Sequence, residues 1–364
     1  MRLFLCGDVM TGRGIDQIMQ RPCDPVLHER YIRSALGYVE LAERASGTIP
    51  RKVPFNYIWG QALDEIDRRE PDFRIINLET SITADGTPEP KGINYRMHPD
   101  NVGCIVAAEI DCCVLANNHV ADWGSDGLEG TVAALQRAGI ATAGAGKDAE
   151  AAARPAILEQ ISGSRLLVFA LASPSSGVPL HWAADKRRAG VNFLADFGEQ
   201  AVASVARGID AFRRPGDLVL VSIHWGPNWG YEVPAEHRSF AHDLIDSAGV
   251  DIIHGHSSHH PLAIEVYAGR PVLYGCGDFI NDYEGIRGYE EFHPDLAVAY
   301  FLETDDHSRR LLGLELVPFR LKKFQLVEAS ARDALWLEKT LDRECRRFGG
   351  HVRQTGENTL ALSW

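Results

Sequence analysis

The sequence predicts an α/β fold with mainly parallel strands. Three observations point there. Short apolar runs of strand length recur along the chain. Stretches with helical spacing of apolar residues lie between them. Beyond about residue 295 the alternation gives way to consecutive strands, so a small antiparallel part follows the parallel one.

RLFLC (2–6) opens the chain as a buried strand. Residues 20–55, with mixed polar, Pro and Gly content, read as an insertion above the sheet and a candidate lid. FNYIWGQALDEIDRRE (55–70) has helical spacing. FRIIN (73–77) and CCVLA (112–116) are the next strands. SDGLEGTVAALQRAGI (125–140) is a helix with Ser125 as candidate N-cap and Gly139 at its end. RLLVFAL (165–171), a helix over 197–214, DLVLVSI (217–223), a helix over 236–250, VDIIH (250–254) and PVLYG (271–275) continue the pattern. AVAYFLET, RRLLGLELVPFRL and FQLVEA then read as antiparallel strands, and 331–348 as an amphipathic helix. The expected organisation is one domain over 1–325 and a C-terminal helical extension, 326–364, packed on it.

Composition narrows the function. The chain has 364 residues, 45% of them hydrophobic, enough for a large core. A formal charge of −13 argues against a general nucleic-acid footprint. No stretch reaches the roughly 18–20 apolar residues of a membrane span. MRLFLCGDVM is too short for a signal sequence, so the chain reads as complete and cytoplasmic. Seven cysteines without a CxxC pair are expected to be reduced and mostly buried.

The residues that close the strands carry the chemistry. RLFLC is followed by Asp8, FRIIN by Glu79, CCVLA by Asn117, Asn118 and His119, and DLVLVSI by His224. VDIIH leads into His256, His259 and His260, and PVLYG into Asp278. The carboxyl ends of parallel strands share one edge, where ligands bind. Taken singly, each residue has an ordinary use as a turn, a cap or a hydrogen-bonded histidine. Together they predict a divalent-metal centre. Asp, Glu, Asn and His without thiolates suit Mn, Fe(II) or Zn. Gly7 and Gly255 are expected to let the backbone approach that centre closely.

GDVMTGRG (7–14), NLETS (77–81), YRMHP (95–99), ANNHVADWG (116–124), IHWGPNWGYEVP (223–234), VDIIHGHSSHH (250–260) and YGCGDFI (274–280) resemble the CapA/PgsA family of poly-γ-glutamate capsule proteins. That family is related to calcineurin-like metallophosphoesterases, and the resemblance spans about 2–325. It implies a four-layer α/β/β/α sandwich and a site for one or two metal ions. By resemblance, Asp8 and His259 are ligands of a first metal. Asn118, His224 and His256 are ligands of a second, Glu79 is the bridging carboxylate, and His119 serves the leaving group. Asp8 and His259 are also the candidate acid–base pair of a second reading. His254 and His260 match no ligand and read as supporting groups. Two departures stand out. Met10 occupies the place of a ligand histidine, and GHSSH is a lengthened GHxH. Both weaken the first metal position.

Arg13, Arg96 and His98 are candidates for holding an anionic substrate, or form surface salt bridges. Trp225, Trp229 and Tyr231 are candidate pocket walls, or packing residues. The implied partner is an anionic small molecule, a peptide or a polyglutamate chain. The leading expectation is metal-dependent hydrolysis or transfer at a phosphoester or acyl centre. The alternatives are a peptide epimerase using Asp8 and His259, and a non-enzymatic component of capsule assembly.

Overall fold

A computed structural model describes all residues, 1–364. Two sheets form its centre. The larger has ten strands. Its main path runs His351–Gly356, Thr359–Ser363, Leu311–Lys322, Leu296–Thr304, Arg2–Val9, Phe73–Leu78, Cys112–Val114 and Ala141–Ala143. Asp278–Ile280 pairs with Arg2–Val9, and Gln325–Glu328 with Leu311–Lys322. The smaller sheet has six strands, in the order Ile264–Tyr267, Arg270–Leu273, Ile252–His256, Leu218–His224, Arg165–Ala172 and Ala156–Glu159. Its central pairs are parallel, as are those joining Arg2–Val9, Phe73–Leu78, Cys112–Val114 and Ala141–Ala143. The strands after residue 295 are antiparallel, as their sequence implies.

Strand alternation explains the layering. Leu166, Val168, Leu218, Leu220 and Ile252 join one core with Leu3, Leu5 and Ile75 of the larger sheet. Their neighbours Leu167, Phe169, Val219, Val221 and Ile253 point the other way. There they meet Val202 and Ile209 of helix Glu199–Asp210 and Phe240 and Leu244 of helix Ala235–Ala248. The result is the expected α/β/β/α sandwich, with one apolar layer between the sheets. This parity positions the site. Ser222 and His224 continue the inward face of Leu218 and Leu220, and His254 and His256 that of Ile252. The inter-sheet layer therefore turns polar at one rim.

Some elements differ from expectation. The helix read over 55–70 is split into a 3₁₀ turn, Tyr57–Trp59, and a helix, Ala62–Arg68. Gly60 breaks it: its φ is +46°, and a Cβ there would lie 2.1 Å from the Leu326 carbonyl oxygen. Ser125 is not the cap of its helix, which begins at Gly124 behind Trp123 with no side-chain cap. Helix Ala331–Cys345 is closed by a capping box of Ser330 and Asp333. Residues 351–363 fall in the stretch expected as a helical extension, but they form a hairpin that extends the larger sheet. All seven cysteines are free and buried. No helix is long and apolar enough to cross a membrane.

Gly7 acts differently from the expectation. A Cβ at Gly7 would stand 1.7 Å from the Gly277 carbonyl oxygen, which accepts the Asp8 amide at 3.0 Å. Its small size lets two backbones touch and seats Asp8 beside Asp278. Gly7→Ala is expected to destabilise the protein by about 3 kcal/mol or more, through overpacking between backbones. A urea melt tests this, and a change below 1 kcal/mol would contradict the close approach.

Candidate metal centre

Strand ends deliver the central side chains. Asp8 lies in Arg2–Val9, His224 and His256 end adjacent parallel strands, and Asp278 begins a strand beside Asp8. His259 follows in the loop after His256. Two buried groups result: Asp8, His224 and His256, and Asp8, His259 and Asp278. Within each, the ligand atoms lie within 4.8 Å of one another. Asp8 is the carboxylate common to both, the place that the resemblance gives to Glu79.

Hydrogen bonds set which atoms face inward. Asn77 Nδ2 donates to Asp8 Oδ1 at 2.7 Å and to Glu79 Oε2 at 3.3 Å. Asp8 Oδ2 is buried and has no partner. Ser222 Oγ lies between His254 Nδ1 (3.1 Å) and His256 Nε2 (2.8 Å). This leaves His256 Nδ1 toward His224 Nδ1 at 2.7 Å and Asp8 Oδ1 at 3.9 Å. His224 Nε2 and Asn118 Oδ1 are also buried without partners. Buried polar atoms are almost always satisfied, so the bare lone pairs of Asp8 and His224, two members of one close group, fit a cation.

Electrostatics agree. Burial raises the Asp8 carboxyl to about 7, with Asp278 adding to the rise. Burial and then Asp8 hold Glu79 well above the usual range. Carboxylates crowded in a dry site resist ionising until a positive charge joins them. Burial keeps His224 and His256 neutral, the state in which imidazole ligates metal. Burial lowers His259, but Asp278 and then Asp8 together bring it above its usual value. His119 is lowered to about 4, mainly by burial. Its Nδ1 meets Asp122 Oδ2 at 2.6 Å, and its Nε2 lies 3.7 Å from Glu79 Oε1. Lys91 Nζ pairs with Asp122 Oδ1 at 2.6 Å and reaches 3.3 Å from His119 Nδ1.

A family model described as "Bacterial capsule synthesis protein PGA_cap" matches residues 2–283. The chain belongs to this family. A "Probable polyglutamine synthesis accessory protein" of Mycobacterium tuberculosis is 48% identical over 362 residues, covering 99% of this chain and 95% of that protein. The "Capsule biosynthesis protein CapA" of Bacillus anthracis is 23% identical over 97% of this chain and 79% of its own length. The "PGA biosynthesis protein CapA" of Bacillus subtilis is 23% identical over 98% and 80%.

In this PGA_cap protein the other candidates lie in several places. Arg13 is buried and spent on the fold. Its guanidinium binds both oxygens of Asp282, Glu29 Oε1 at 3.0 Å and Tyr38 Oη at 2.9 Å. Glu29 and Tyr38 come from the insertion, so Arg13 fastens it down. Arg96 stacks 3.7 Å over Trp123 and donates to the Asp24 carbonyl oxygen. His98 caps the Asp100 amide. Trp225 is buried against His237, with its indole N–H on the Tyr274 carbonyl oxygen. Trp229, half-buried, packs 5.1 Å from His259 and stacks on Tyr289 at 4.1 Å. Tyr231 lies against His260 and Phe292. The supporting histidines have definite partners: His254 Nε2 meets the Cys6 carbonyl oxygen at 2.9 Å, and His260 Nε2 accepts the Gly230 amide at 3.1 Å.

Two residues outside the predicted set hold the central side chains: Asn77 donates to Asp8, and Ser222 contacts His256. Asp278, a strand-end residue that the resemblance gives no role, stands in the second group. Its meaning comes from pairing with Asp8.

Proposed function

We propose that this PGA_cap protein is a metal-dependent hydrolase or transferase acting at a phosphoester or acyl/amide centre in capsule or polyglutamate metabolism. The observation that supports it is the convergence of Asp8, His224 and His256 with bare lone pairs on Asp8 and His224. A divalent ion there (Mn, Fe(II) or Zn) would supply Lewis acidity toward the electrophile. Asp8, His224 and His256 would hold it, with Glu79 beside Asp8 and Asn118 as a further candidate oxygen donor. Ser222 and Asn77 fix the donor atoms toward it. His119, neutral at rest and held through Nδ1 by Asp122, takes the proton of the attacking group on Nε2 and returns it to the leaving group. Trp229 walls the side near His259. The relatives' names suggest a polyglutamate or polyglutamine chain as substrate.

The test is release of phosphate from phosphoesters, and of new amine from oligo-γ-glutamate, with and without chelator. His224→Ala and His256→Ala are expected to lower a metal-dependent rate by about 10²-fold or more. Unchanged rates, or full capsule-related function in cells carrying both substitutions, would reject the enzymatic reading in favour of an assembly role. A second reading, proton transfer beside a carbonyl by Asp8 and His259, draws on the Asp8 carboxyl held at about 7. Solvent deuterium entering a recovered peptide without cleavage would select it.

A further inference from the structure

Asp278 stands across the ladder from Asp8, on a strand of its own. Two residues after Asp8 stands Met10, fully buried, its thioether 3.7 Å from the Tyr283 hydroxyl. A thioether is a poor ligand for hard divalent ions. The short strand Asp278–Ile280 runs parallel to Arg2–Val9, with Asp278 in register with Asp8. Its carboxylate is 1% exposed and reaches the same rim. We propose that Asp278, with Asp8 and His259, holds a second divalent cation beside the one at His224 and His256. The proposal rests on the metal-dependent reading above and adds a ligand to it.

Several features carry it. The three ligand atoms lie within 4.8 Å of one another in a buried place. Asp8 Oδ2 has no partner, so it is not consumed by the first group's hydrogen bonds. Asp278 is held from outside: Asn281 Nδ2 donates to Oδ2 at 2.8 Å, while Oδ1 faces His259 Nδ1 at 2.8 Å. Asn281 is itself anchored on the Pro294 carbonyl oxygen. Asn228 contacts His259 Nε2 at 2.9 Å and fixes the ring so that Nδ1 points inward. A carboxylate and an imidazole oriented by outer partners are arranged as ligands are. Asp8, shared by both groups, is the natural bridge between the two ions.

The competing use of Asp278 is as an ion-pair partner for His259 alone. Metal binding separates the two. Chelator-stripped protein is titrated with Mn(II), and stoichiometry is followed by calorimetry and by elemental analysis after gel filtration. Paramagnetic resonance then distinguishes a coupled pair of ions from isolated ones. Wild type is expected to bind two ions per chain with a coupled signal. Asp278→Asn, which keeps the size and the Asn281 contact, is expected to bind one and lose the coupling. His259→Gln should do the same. His224→Ala should also fall to one, but by emptying the other position. Thermal melts confirm that each variant is folded. Two ions in Asp278→Asn, or one ion in both wild type and Asp278→Asn, would overturn the role of Asp278 and leave the first site standing. No ion in folded wild type would overturn the metal-dependent reading itself.

Discussion

Asp8→Asn is expected to abolish metal-dependent turnover, by about 10³-fold or more, and at the same time to stabilise the metal-free protein above neutral pH. The first effect follows from position. Asp8 is the one residue common to both ligand groups, so its loss weakens each. A loss of Lewis-acid stabilisation of about 4 kcal/mol corresponds to that thousandfold. The second effect follows from burial. Without a cation, the Asp8 carboxyl is raised from 3.8 to about 7 in the fold, first by desolvation and then by Asp278. An acid whose folded value is raised keeps its proton in the native state while the unfolded chain has lost it. The native state therefore loses stability as pH climbs from about 4 toward 7, and the loss is complete above 7. Asn carries no such charge and can still accept from Asn77 through its own oxygen. The variant's gain in melting temperature should therefore grow between pH 5.5 and 7 and level off beyond. Saturating Mn(II) should reverse the order, because only wild type gains the cation. Equal melting of the two metal-free proteins at pH 8 would contradict a buried, burdened carboxylate.

The second large effect is acid unfolding driven by buried imidazoles. His119, His237, His254 and His260 are each lowered to about 4, and His224 and His256 lie well below their ordinary value; burial is the first cause in every case. In the unfolded chain they titrate near 6.5. Stability from these groups is present above 6.5 and is lost as pH falls toward 4, because only the unfolded state takes up the protons. Asp8 and Glu79, with raised folded values, act in the opposite sense, and Asp16, Asp111, Asp251 and Glu284 join them toward lower pH. The imidazoles therefore make their largest difference just below pH 6.5, where the unfolded chain first takes up protons that the fold refuses. The free energy of unfolding in urea, measured from pH 5 to 8 on metal-free protein, should begin to fall as pH drops below 6.5. A flat profile would mean that the imidazoles are not held neutral in the fold.

Much of the site was legible because strand chemistry is local. Apolar runs that end in Asp8, His224 and His256 show both the strand and its rim, since side-chain parity carries an apolar inward face into a polar one. The resemblance supplied roles that the runs alone could not. What stayed hidden depends on neighbours distant in sequence. Asn77 looks like the end of a strand, and only the parallel pairing beside Asp8 makes it an orienting donor. Asp278 needs the short strand that places it next to Asp8. Arg13 sits in a motif and carries the charge expected of a substrate contact, yet Glu29 and Asp282, 16 and 269 positions away, take up its guanidinium. Ser125 shows the limit of a cap read from residue type alone, and Gly60 the effect of a backbone that passes close by. The hairpin 351–363, rich in polar residues, buries only Val352, Leu360 and Leu362, a short apolar pattern beside the helix that precedes it.

Anomalous diffraction from crystals of the wild-type protein grown with Mn(II) shows whether a cation sits among these side chains. A peak is expected, bounded by the Asp8 carboxylate and the imidazoles of His224 and His256. Saturating Mn(II) that leaves this place empty, or an ion bound only away from Asp8, would contradict that expectation.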